Sequence, residues 1–439
     1  MRLLLALDSY WPNIDGVAVS LDRLAWALAA RGHAVAVLAP RVVGAAERPG
    51  PVIVRRLPAL RWPGSPAHLA VPLVRAHLAS WRPDVIITAL PFSLGLATLR
   101  AAGVARVPVV GVTSTMPAWL SARLPLRGAW RATLDCALWR LLAAFYGRCT
   151  AVVAVSATAL ALLRRHGLRR PAHVISTGVA LDRFRPRPRD AALAVRLGLP
   201  AKRTVLYAGR LDADKRLDVL LAGFARLRER CDAHLLLVGD GGARAALERA
   251  AQGRGLGAHV TFAGFLPAPD YTQVFALADV FAITSPAELQ SLVALEAAAS
   301  GLPLVAVDAG ALPELVKPGG NGDLVPPEDP AALAAALASI LAEPGRAAAL
   351  GRRSRALAAA HDLRQTFDRY EALLTALASD RGALPGAPVE RSTLASSGLA
   401  SRLAESAGRR RHMANLVAGV GCNAAPAAAT LAVLADRPV

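Results

Sequence analysis

The sequence predicts an α/β fold made of two doubly wound, Rossmann-like domains with a ligand-binding cleft between them. Short apolar runs alternate with amphipathic helical stretches along most of the 439 residues, as in parallel sheets covered on both faces. This alternation pauses at residues 179–190, where proline and arginine crowd together, and then restarts. Ligands of such folds bind at the carboxyl ends of the strands, so we expect the functional site there.

The strand candidates follow in order. The first half contains "LLLAL", "AVAVLA", "PDVIITAL", "VPVVGV" and "AVVAV", and the second contains "TVLYAG", "HLLLVG", "HVTFAG", "VFAIT" and "PLVAV". The first run is short and Asp8 interrupts it, so we interpret it as a buried strand and not as a secretion signal. The pattern fails after Leu377, and the Ser-, Gly-, Pro- and Arg-rich stretch from 379 predicts a flexible tail. Residues 413–435 are uncharged, and we favour a disordered or surface-lying tail over a membrane anchor.

The composition is that of a globular chain, with 54% hydrophobic and 19% charged residues. The net charge of +19 comes mainly from arginine, since only three residues are lysine. No dense basic block with interleaved aromatics is present, which argues against a nucleic-acid partner. The diffuse positive charge reflects either compositional bias or an anionic partner, namely a membrane surface or phosphorylated substrates. The four cysteines lack zinc-ligand spacing and predict neither a metal site nor a disulfide framework, which favours a cytoplasmic location.

The stretch "VLYAGRLDADKRLDVLLAGF" places two cations at a strand end. A buried strand is predicted to end at Gly209 and a helix to start near Lys215, which leaves Arg210 and Lys215 beside the strand's carboxyl end. A guanidinium fork and an ammonium suit the oxygens of a diphosphate, although an ordinary solvated loop has the same composition. The carboxylates of Asp212 and Asp214 could hold a divalent metal, but the flanking cations favour solvated loop carboxylates.

The stretch "SPAELQSLVALEAAASGLP" contains two glutamates. We predict a helix over about 290–300, with Glu288 in the preceding loop and Glu296 inside the helix. Free N–H groups at the helix start can hold a phosphate, and the residues that supply them are Ser291, Leu292 and Val293. Carboxylates accept hydrogen bonds from paired hydroxyls, so a nucleotide diphospho-sugar fits this arrangement. We therefore expect the two glutamates to need no cationic partner.

These segments resemble a known family. "SPAELQSLVALEAAASGLPLVAVDAGALPELV" resembles the E-x7-E signature of retaining glycosyltransferases of the GT-B fold, family 4, also called the group 1 family. "VLYAGRLDADK" is similar to its Gly-Arg…Lys loop, and "YWPNIDGVAVSLDRLAWALAARGHAVAVLAP" to the opening of its N-terminal domain. "VISTGVALDRFRP" resembles the segment before the linker, and "HDLRQTFDRYEALL" the closing helix. The resemblance spans residues 1–378 and implies an acceptor-side domain (1–182), a nucleotide-sugar domain (183–365) and a helix crossing back (366–378).

The resemblance also implies roles for individual residues. Arg210 and Lys215 would bind the donor diphosphate, Glu296 the ribose hydroxyls and Glu288 the transferred sugar; Arg210, Lys215 and Glu288 are the candidate catalytic residues. The glycines expected to line the donor pocket are Gly16, Gly239 and Gly241. The implied reaction moves a hexose from a GDP- or UDP-sugar to an acceptor hydroxyl with retention, and without a metal or other cofactor.

Two departures from the family pattern keep alternatives open. Ser114 stands where the family has a histidine, and Thr177-Gly178-Val179-Ala180 replaces an Asn-Gly-x-Asp pattern. Serine can donate a hydrogen bond but cannot carry positive charge, so a weak or catalytically silent nucleotide-sugar-binding subunit is one alternative. A sugar-nucleotide epimerase of the same fold is another.

The segment of the first domain that is expected to lie near the acceptor has no distinctive motif, only a helical pattern. Apolar residues recur at helical spacing and predict one stripe, formed by Trp130, Leu134, Leu138, Leu141 and Phe145. With its flanking arginines this helix either covers the core of the first domain or lies on a membrane surface beside a lipid-linked acceptor. The second interpretation adds a peripheral position at the inner face of the plasma membrane to the expected cytoplasmic location. His33 follows a helix-ending glycine, and we expect it to order that turn rather than to take part in chemistry.

Overall fold

A computed structural model describes residues 1–11, 15–42, 49–61, 68–70, 73–113, 116–117 and 128–380. The chain divides into two compact units, one made of residues 1–126 and 133–383 and the other of residues 127–132 and 384–439. Of the second unit only residues 128–132 are described, and they form the first turn of a helix. The predicted tail from residue 379 therefore lies, apart from its first two residues, outside the described residues.

The first sheet has seven parallel strands in the order β3-β2-β1-β6-β7-β8-β9. A separate antiparallel pair, β4 and β5, connects β3 to the helix that follows. The bounds are β1 (Arg2–Ala6), β2 (Ala34–Pro40), β3 (Val52–Leu57), β4 (Ala59–Arg61), β5 (His68–Ala70), β6 (Val85–Thr88), β7 (Val109–Thr113), β8 (Ala151–Ala154) and β9 (Ala172–Val174). The associated helices are α1 (Gly16–Ala30), α2 (Val74–Trp81), α3 (Ser93–Ala105), α4 (Gly128–Tyr146) and α5 (Ala157–Arg165). Together these elements form what we call the first lobe.

The second sheet has six parallel strands in the order β12-β11-β10-β13-β14-β15. Their bounds are β10 (Arg203–Ala208), β11 (Ala233–Val238), β12 (Val260–Gly264), β13 (Val280–Ile283), β14 (Leu304–Val307) and β15 (Gly322–Val325). The helices are α6 (Ala191–Arg196), α7 (Leu217–Arg228), α8 (Arg244–Gly253), α9 (Ala268–Gln273), α10 (Leu292–Ala299), α11 (Leu312–Leu315), α12 (Pro330–Ala342) and α13 (Pro344–Ala359), and a last helix, α14 (Leu363–Ser379), follows. Strands β10 to β15 with helices α6 to α13 form the second lobe.

Each lobe has its own hydrophobic core because its strands are apolar on both faces. The strands β1, β6, β8, β10, β11, β13 and β14 are buried almost throughout. All ten strands predicted from apolar runs are present, including the N-terminal one. The strands that the sequence did not predict include β3, β9 and β15, which lie at sheet edges. An edge strand pairs on one side only and tolerates polar residues, so its apolar signal is weaker.

The last helix, α14, packs on the first lobe. Tyr370 and Leu374 are buried in the core cluster that contains β1 and α1. Arg31 on the first lobe forms an ion pair with Glu371 at 2.6 Å, and the Nε2 atom of His33 lies 2.8 Å from the same carboxylate. The side chain of His33 thus connects two helices and does not merely order its own turn. The predicted domain limits 182/183 and 365/366 remain predictions.

The expected stripe of α4 does not form one buried face. Trp130 is 77% exposed and Leu141 52% exposed, whereas Phe145 is buried. The buried residues are confined to the last two turns and are Trp139, Leu142, Ala143, Phe145 and Tyr146. Trp139, Leu142, Ala143 and Tyr146 recur at helical spacing and share a face different from the predicted one, so the helix leaves Trp130 and Leu141 outside the core. Within the described ranges no single helix has both the length and the apolarity to cross a membrane. One pair of helices, α12 and α13, has the length and composition of a membrane span when taken together, but the two are bent by 104° relative to each other.

Candidate functional site

The centre of the candidate site is an ion-paired lysine at the carboxyl end of β10. Lys215 Nζ lies 2.7 Å from Glu288 Oε1 and 3.4 Å from Asp214 Oδ2. Burial lowers the pKa of Lys215, but the carboxylates of Glu288 and Asp214 more than offset it, so the pKa lies above its usual value. The lysine is therefore held as a buried cation with an oxygen atom on either side.

The loop before Lys215 is fixed by the ends of neighbouring strands. Residues Ala213–Lys215 form a 3₁₀ turn, and α7 begins only at Leu217, slightly later than predicted. Thr284, just after β13, donates its hydroxyl to the carbonyl of Lys215 at 3.0 Å. Arg210 forms ion pairs with Asp212 and with Asp214. Both predicted cations thus lie in one loop and are neutralised by internal carboxylates.

Two glycine positions allow the loops after β10 and β11 to touch. Gly239 has φ 123°, and a Cβ atom there would lie 1.9 Å from the carbonyl oxygen of Gly209. At Gly241 a Cβ atom would lie 2.6 Å from the carbonyl carbon of Leu211. Any side chain at these positions would separate the loops, because the contacted atoms are backbone and cannot move aside.

Glu296 lies in the middle of α10 and is only 5% exposed. Its Oε2 accepts a hydrogen bond of 2.7 Å from the hydroxyl of Tyr271, and its Oε1 lies 3.7 Å from Arg23 Nη2, which α1 of the first lobe contributes. Burial raises the pKa of Glu296, and Arg23, Tyr271 and Arg183 reduce that rise without cancelling it.

The N-terminus of α10 lies opposite that of α1. Ser291 is the N-cap of α10 and accepts a hydrogen bond from Ala294, so the helix is Leu292–Ala299 within the predicted 290–300. The N–H groups of Leu292 and Val293 at the start of the helix have no carbonyl partner four residues earlier within it. A Cβ atom on Gly16, the first residue of α1, would lie 4.0 Å from Leu292 Cδ1. The first residues of α1 and α10, one from each lobe, are therefore close together, and each helix start carries a partial positive charge.

One prediction was wrong. We expected the two glutamates to need no cationic partner, yet Glu288 pairs with Lys215, and Glu296 lies beside Arg23. Both cations are remote in sequence from the carboxylates, so inspection of the neighbouring residues could not find them. Arg23 and Tyr271 were missed as site residues for the same reason, since no local motif marks them.

Further contacts join the lobes next to this site. Gln290 Oε1 accepts hydrogen bonds from the Thr177 N–H at 2.7 Å and the Thr177 hydroxyl at 2.6 Å. Glu314 accepts from the N–H groups of Ala157 and Thr158 at the start of α5, at 3.1 and 2.6 Å. The segment that departs from the family pattern at 177–180 is thus held by the loop that carries Glu288.

Three further features singled out in the sequence are Ser114, a possible metal site and the cysteines. Ser114 lies outside the described residues. In the part of the chain that the structure covers, no group of three or more His, Cys, Asp or Glu side chains is arranged to hold a metal ion. Among the described cysteines, Cys149 and Cys231 are free thiols.

Two family models and several known proteins are similar in sequence to this chain. Residues 14–183 match the model of Glycosyltransferase Family 4, and residues 202–343 match that of Glycosyl transferases group 1. A GDP-mannose-dependent alpha-mannosyltransferase of Corynebacterium glutamicum is 31% identical over 74% of this chain and 76% of its own length. The protein of that name from Mycolicibacterium smegmatis is 31% identical over 81% of this chain and 92% of its own length.

Solved structures agree on the fold. Sucrose-phosphate synthase from Thermosynechococcus elongatus superposes with a TM-score of 0.71 at 24% identity, covering 86% of this chain and 99% of that one. HepE of Anabaena, solved in complex with UDP, superposes with a TM-score of 0.68 at 23% identity, covering 86% of this chain and all of that one. The two parallel sheets and these likenesses define a glycosyltransferase of the GT-B fold, with two Rossmann-like domains. The chain belongs to glycosyltransferase family 4, the group 1 glycosyltransferases.

Proposed function

We propose that this protein transfers mannose from GDP-mannose to an acceptor hydroxyl with retention of the anomeric configuration. The observation that carries the proposal is the ion-paired Lys215 and Glu288 at the end of β10, close to the helix start at Leu292. The relatives of similar length named as GDP-mannose-dependent enzymes support the choice of donor. Among the GDP- and UDP-hexoses that the sequence left open, GDP-mannose is therefore the favoured donor.

In this proposal the cations and helix ends bind the diphosphate. Arg210 and Lys215 exchange their internal carboxylates for phosphate oxygens, while Ser291, Leu292 and Val293 offer N–H groups. Gly16, Gly239 and Gly241 let the backbone approach the donor. Glu288, released from Lys215, accepts hydrogen bonds from mannose hydroxyls, and Glu296 accepts them from the ribose.

The chemical step breaks the bond between the sugar's anomeric carbon and the β-phosphate oxygen. The acceptor oxygen forms its bond to that carbon on the same face, and its proton passes to the leaving phosphate oxygen. Negative charge builds up on the GDP as it departs, and Lys215 and Arg210 stabilise it. No metal ion or other cofactor is required in this proposal, because protein cations already lie where the charge develops.

We further propose that the acceptor is lipid-linked and met at an anionic membrane surface, on the cytoplasmic side. The support is the exposed Trp130 on α4, which carries the exposed Arg131 and Arg140 on the same helix. Tryptophan and arginine side chains together favour the boundary between lipid and water.

The first experiment is a thermal-shift panel with GDP, UDP and ADP, each with and without magnesium. We expect GDP alone to raise the melting temperature, equally with and without magnesium, because a ligand that binds only the folded state stabilises it. Glu296→Gln should lose this rise. A rise with UDP or ADP instead would overturn the choice of donor, and a rise that requires magnesium would overturn metal independence.

Turnover separates an enzyme from a silent subunit, the alternative that Ser114 raises. GDP release from GDP-mannose is measured with vesicles that contain or lack phosphatidylinositol, chosen because it is an anionic lipid with free hydroxyl groups. The anomeric configuration of the product is determined by NMR. We expect lipid-dependent release and an α-mannoside. GDP binding without release under any acceptor condition would support the silent subunit, and isomerised nucleotide sugar would support an epimerase.

A further inference from the structure

We propose that Tyr271 is a positioning residue for binding of the donor's ribose. The hydroxyl of Tyr271 holds the Glu296 carboxylate in the orientation that accepts hydrogen bonds from the ribose diol. This inference rests on the proposed function, because it assumes that Glu296 binds ribose. The tyrosine lies on α9, outside the segments that carry the family motifs.

The geometry of the carboxylate is the first argument. Tyr271 donates to Glu296 Oε2 at 2.7 Å, while Oε1 lies 3.7 Å from Arg23 Nη2. A carboxylate offers about four acceptor positions, so one hydrogen bond leaves several for a diol. Without the tyrosine hydroxyl the terminal torsion of a glutamate is broad, and the carboxylate could turn away from the ribose.

The rigidity of the tyrosine is the second argument. Its ring packs edge-to-face against Phe184 at 6.2 Å and against Phe275 at 5.6 Å, and these two rings pack on each other in the same manner at 5.6 Å. Because the three rings pack edge-to-face against one another, the phenol ring of Tyr271 is held in one orientation. The hydroxyl is therefore a fixed point against which Glu296 is held.

The protonation of this pair agrees with a tyrosine donor. Burial, followed by the negative charge of Glu296, raises the pKa of Tyr271 well above its ordinary range, so the hydroxyl keeps its proton. The hydrogen bond in turn favours the charged form of Glu296 and offsets part of the rise in its pKa that burial causes. A phenylalanine would fill the same space without either effect.

The test compares Tyr271→Phe with the wild-type protein and with Tyr370→Phe, a buried tyrosine of α14 in the other core. Affinities for GDP and 2′-deoxy-GDP are measured by calorimetry. We expect the wild type and Tyr370→Phe to bind GDP more tightly than 2′-deoxy-GDP. In Tyr271→Phe this ratio of affinities should fall about tenfold, which corresponds to the free energy of one hydrogen bond to a charged group. In turnover, KM for GDP-mannose should rise while kcat stays within about twofold.

A second measurement is the pH profile of GDP affinity. The charged or titratable groups facing Glu296 are Arg23 from α1, Arg183 from the segment after β9, and Tyr271 from α9. Removing the tyrosine hydroxyl leaves the carboxyl easier to protonate, so the acid limb of GDP binding should move to higher pH in Tyr271→Phe. A purely structural tyrosine would leave that limb in place.

The outcomes separate this inference from the proposed function. If Glu296→Gln binds GDP as tightly as the wild type, the assignment of the ribose to Glu296 is itself wrong. If Glu296→Gln loses affinity but Tyr271→Phe keeps both the full GDP preference and the wild-type pH profile, only the role of Tyr271 is overturned. Equal weakening of GDP and 2′-deoxy-GDP with an unmoved acid limb would assign Tyr271 to packing alone.

Discussion

Lys215 shows how the ammonium of the proposed donor site is kept charged by neighbouring carboxylates. The lysine is largely buried, and a lone buried ammonium would tend to lose its proton. Glu288 and Asp214 supply the compensating charge, and their combined effect keeps the pKa of the lysine high. A diphosphate that replaces these carboxylates meets an ammonium that is already protonated and oriented, so little reorganisation is needed on binding.

Asp8, just after β1, is a buried carboxyl that stabilises the start of a helix. It accepts hydrogen bonds from the N–H groups of Leu94 and Gly95, at 2.9 and 3.2 Å, and from the hydroxyl of Ser93, at 3.2 Å. It therefore caps the start of α3. Burial raises its pKa from 3.8 to about 6 despite these bonds.

This pKa has a consequence for stability. Between about pH 4 and pH 6 the folded state holds a proton on Asp8 that the unfolded state has lost, so the contribution of Asp8 to stability decreases as pH rises through that window. The change is on the order of 3 kcal/mol. We expect the unfolding free energy of the wild type to fall by about this amount relative to that of Asp8→Asn between about pH 3 and about pH 7, measured by urea titration. A difference independent of pH would show that Asp8 titrates normally.

At the scale of elements, the site depends on how closely two loops approach. The loop after β10 carries Arg210 and Lys215, and the loop after β11 carries Gly239 and Gly241. The N–H of Gly209 donates to the carbonyl of Val238 at 2.9 Å, which continues the sheet ladder into the loops. The carboxyl ends of two adjacent strands are thereby held at backbone contact, which defines one wall of the proposed donor pocket.

Two neighbouring glycines provide a matched test of this contact. Gly239→Ala places a methyl group against a carbonyl oxygen in a backbone conformation that disfavours side chains. We expect a loss of about 1–3 kcal/mol in stability and weaker GDP binding. Gly242→Ala is the control, because its nearest atom outside the adjacent residues would lie at 3.8 Å, an ordinary contact. Thermal melts and GDP titrations of both variants check the expectation, and equal behaviour of the two would contradict it.

At the scale of the molecule, polar side chains of the second lobe bind the first. Gln290 holds Thr177 close to where the chain passes between lobes, and Glu314 caps α5. Leu289, in the same loop as Glu288, is buried in a core cluster of the first lobe. The loop that carries Glu288 and the contacts between the lobes are therefore parts of one structure. With the donor bound at this loop as proposed, donor binding and the relative position of the lobes should be coupled.

Glu314 allows this coupling to be measured. Glu314→Ala removes both capping bonds from the start of α5, and we expect a loss of about 1 kcal/mol together with a larger radius of gyration in solution scattering. Glu343→Ala is the control, since Glu343 precedes α13 without capping it through its side chain. The coupling would be contradicted if both variants matched the wild type in scattering profile and in GDP affinity.

The sequence by itself determined the two parallel sheets, the ten apolar strands, and the loops that carry Arg210, Lys215, Glu288 and Glu296. These features are local, because the apolar period of a strand, a helix cap and a glycine turn are encoded within a few residues. Only the tertiary structure decided what the glutamates touch. Lys215, Arg23 and Tyr271 reach them from elements far away in the chain, and such partners depend on how strands and lobes pack. The tertiary structure also decided which strands lie at sheet edges and which face of α4 is buried, since burial there is set by neighbouring elements and not by the local pattern.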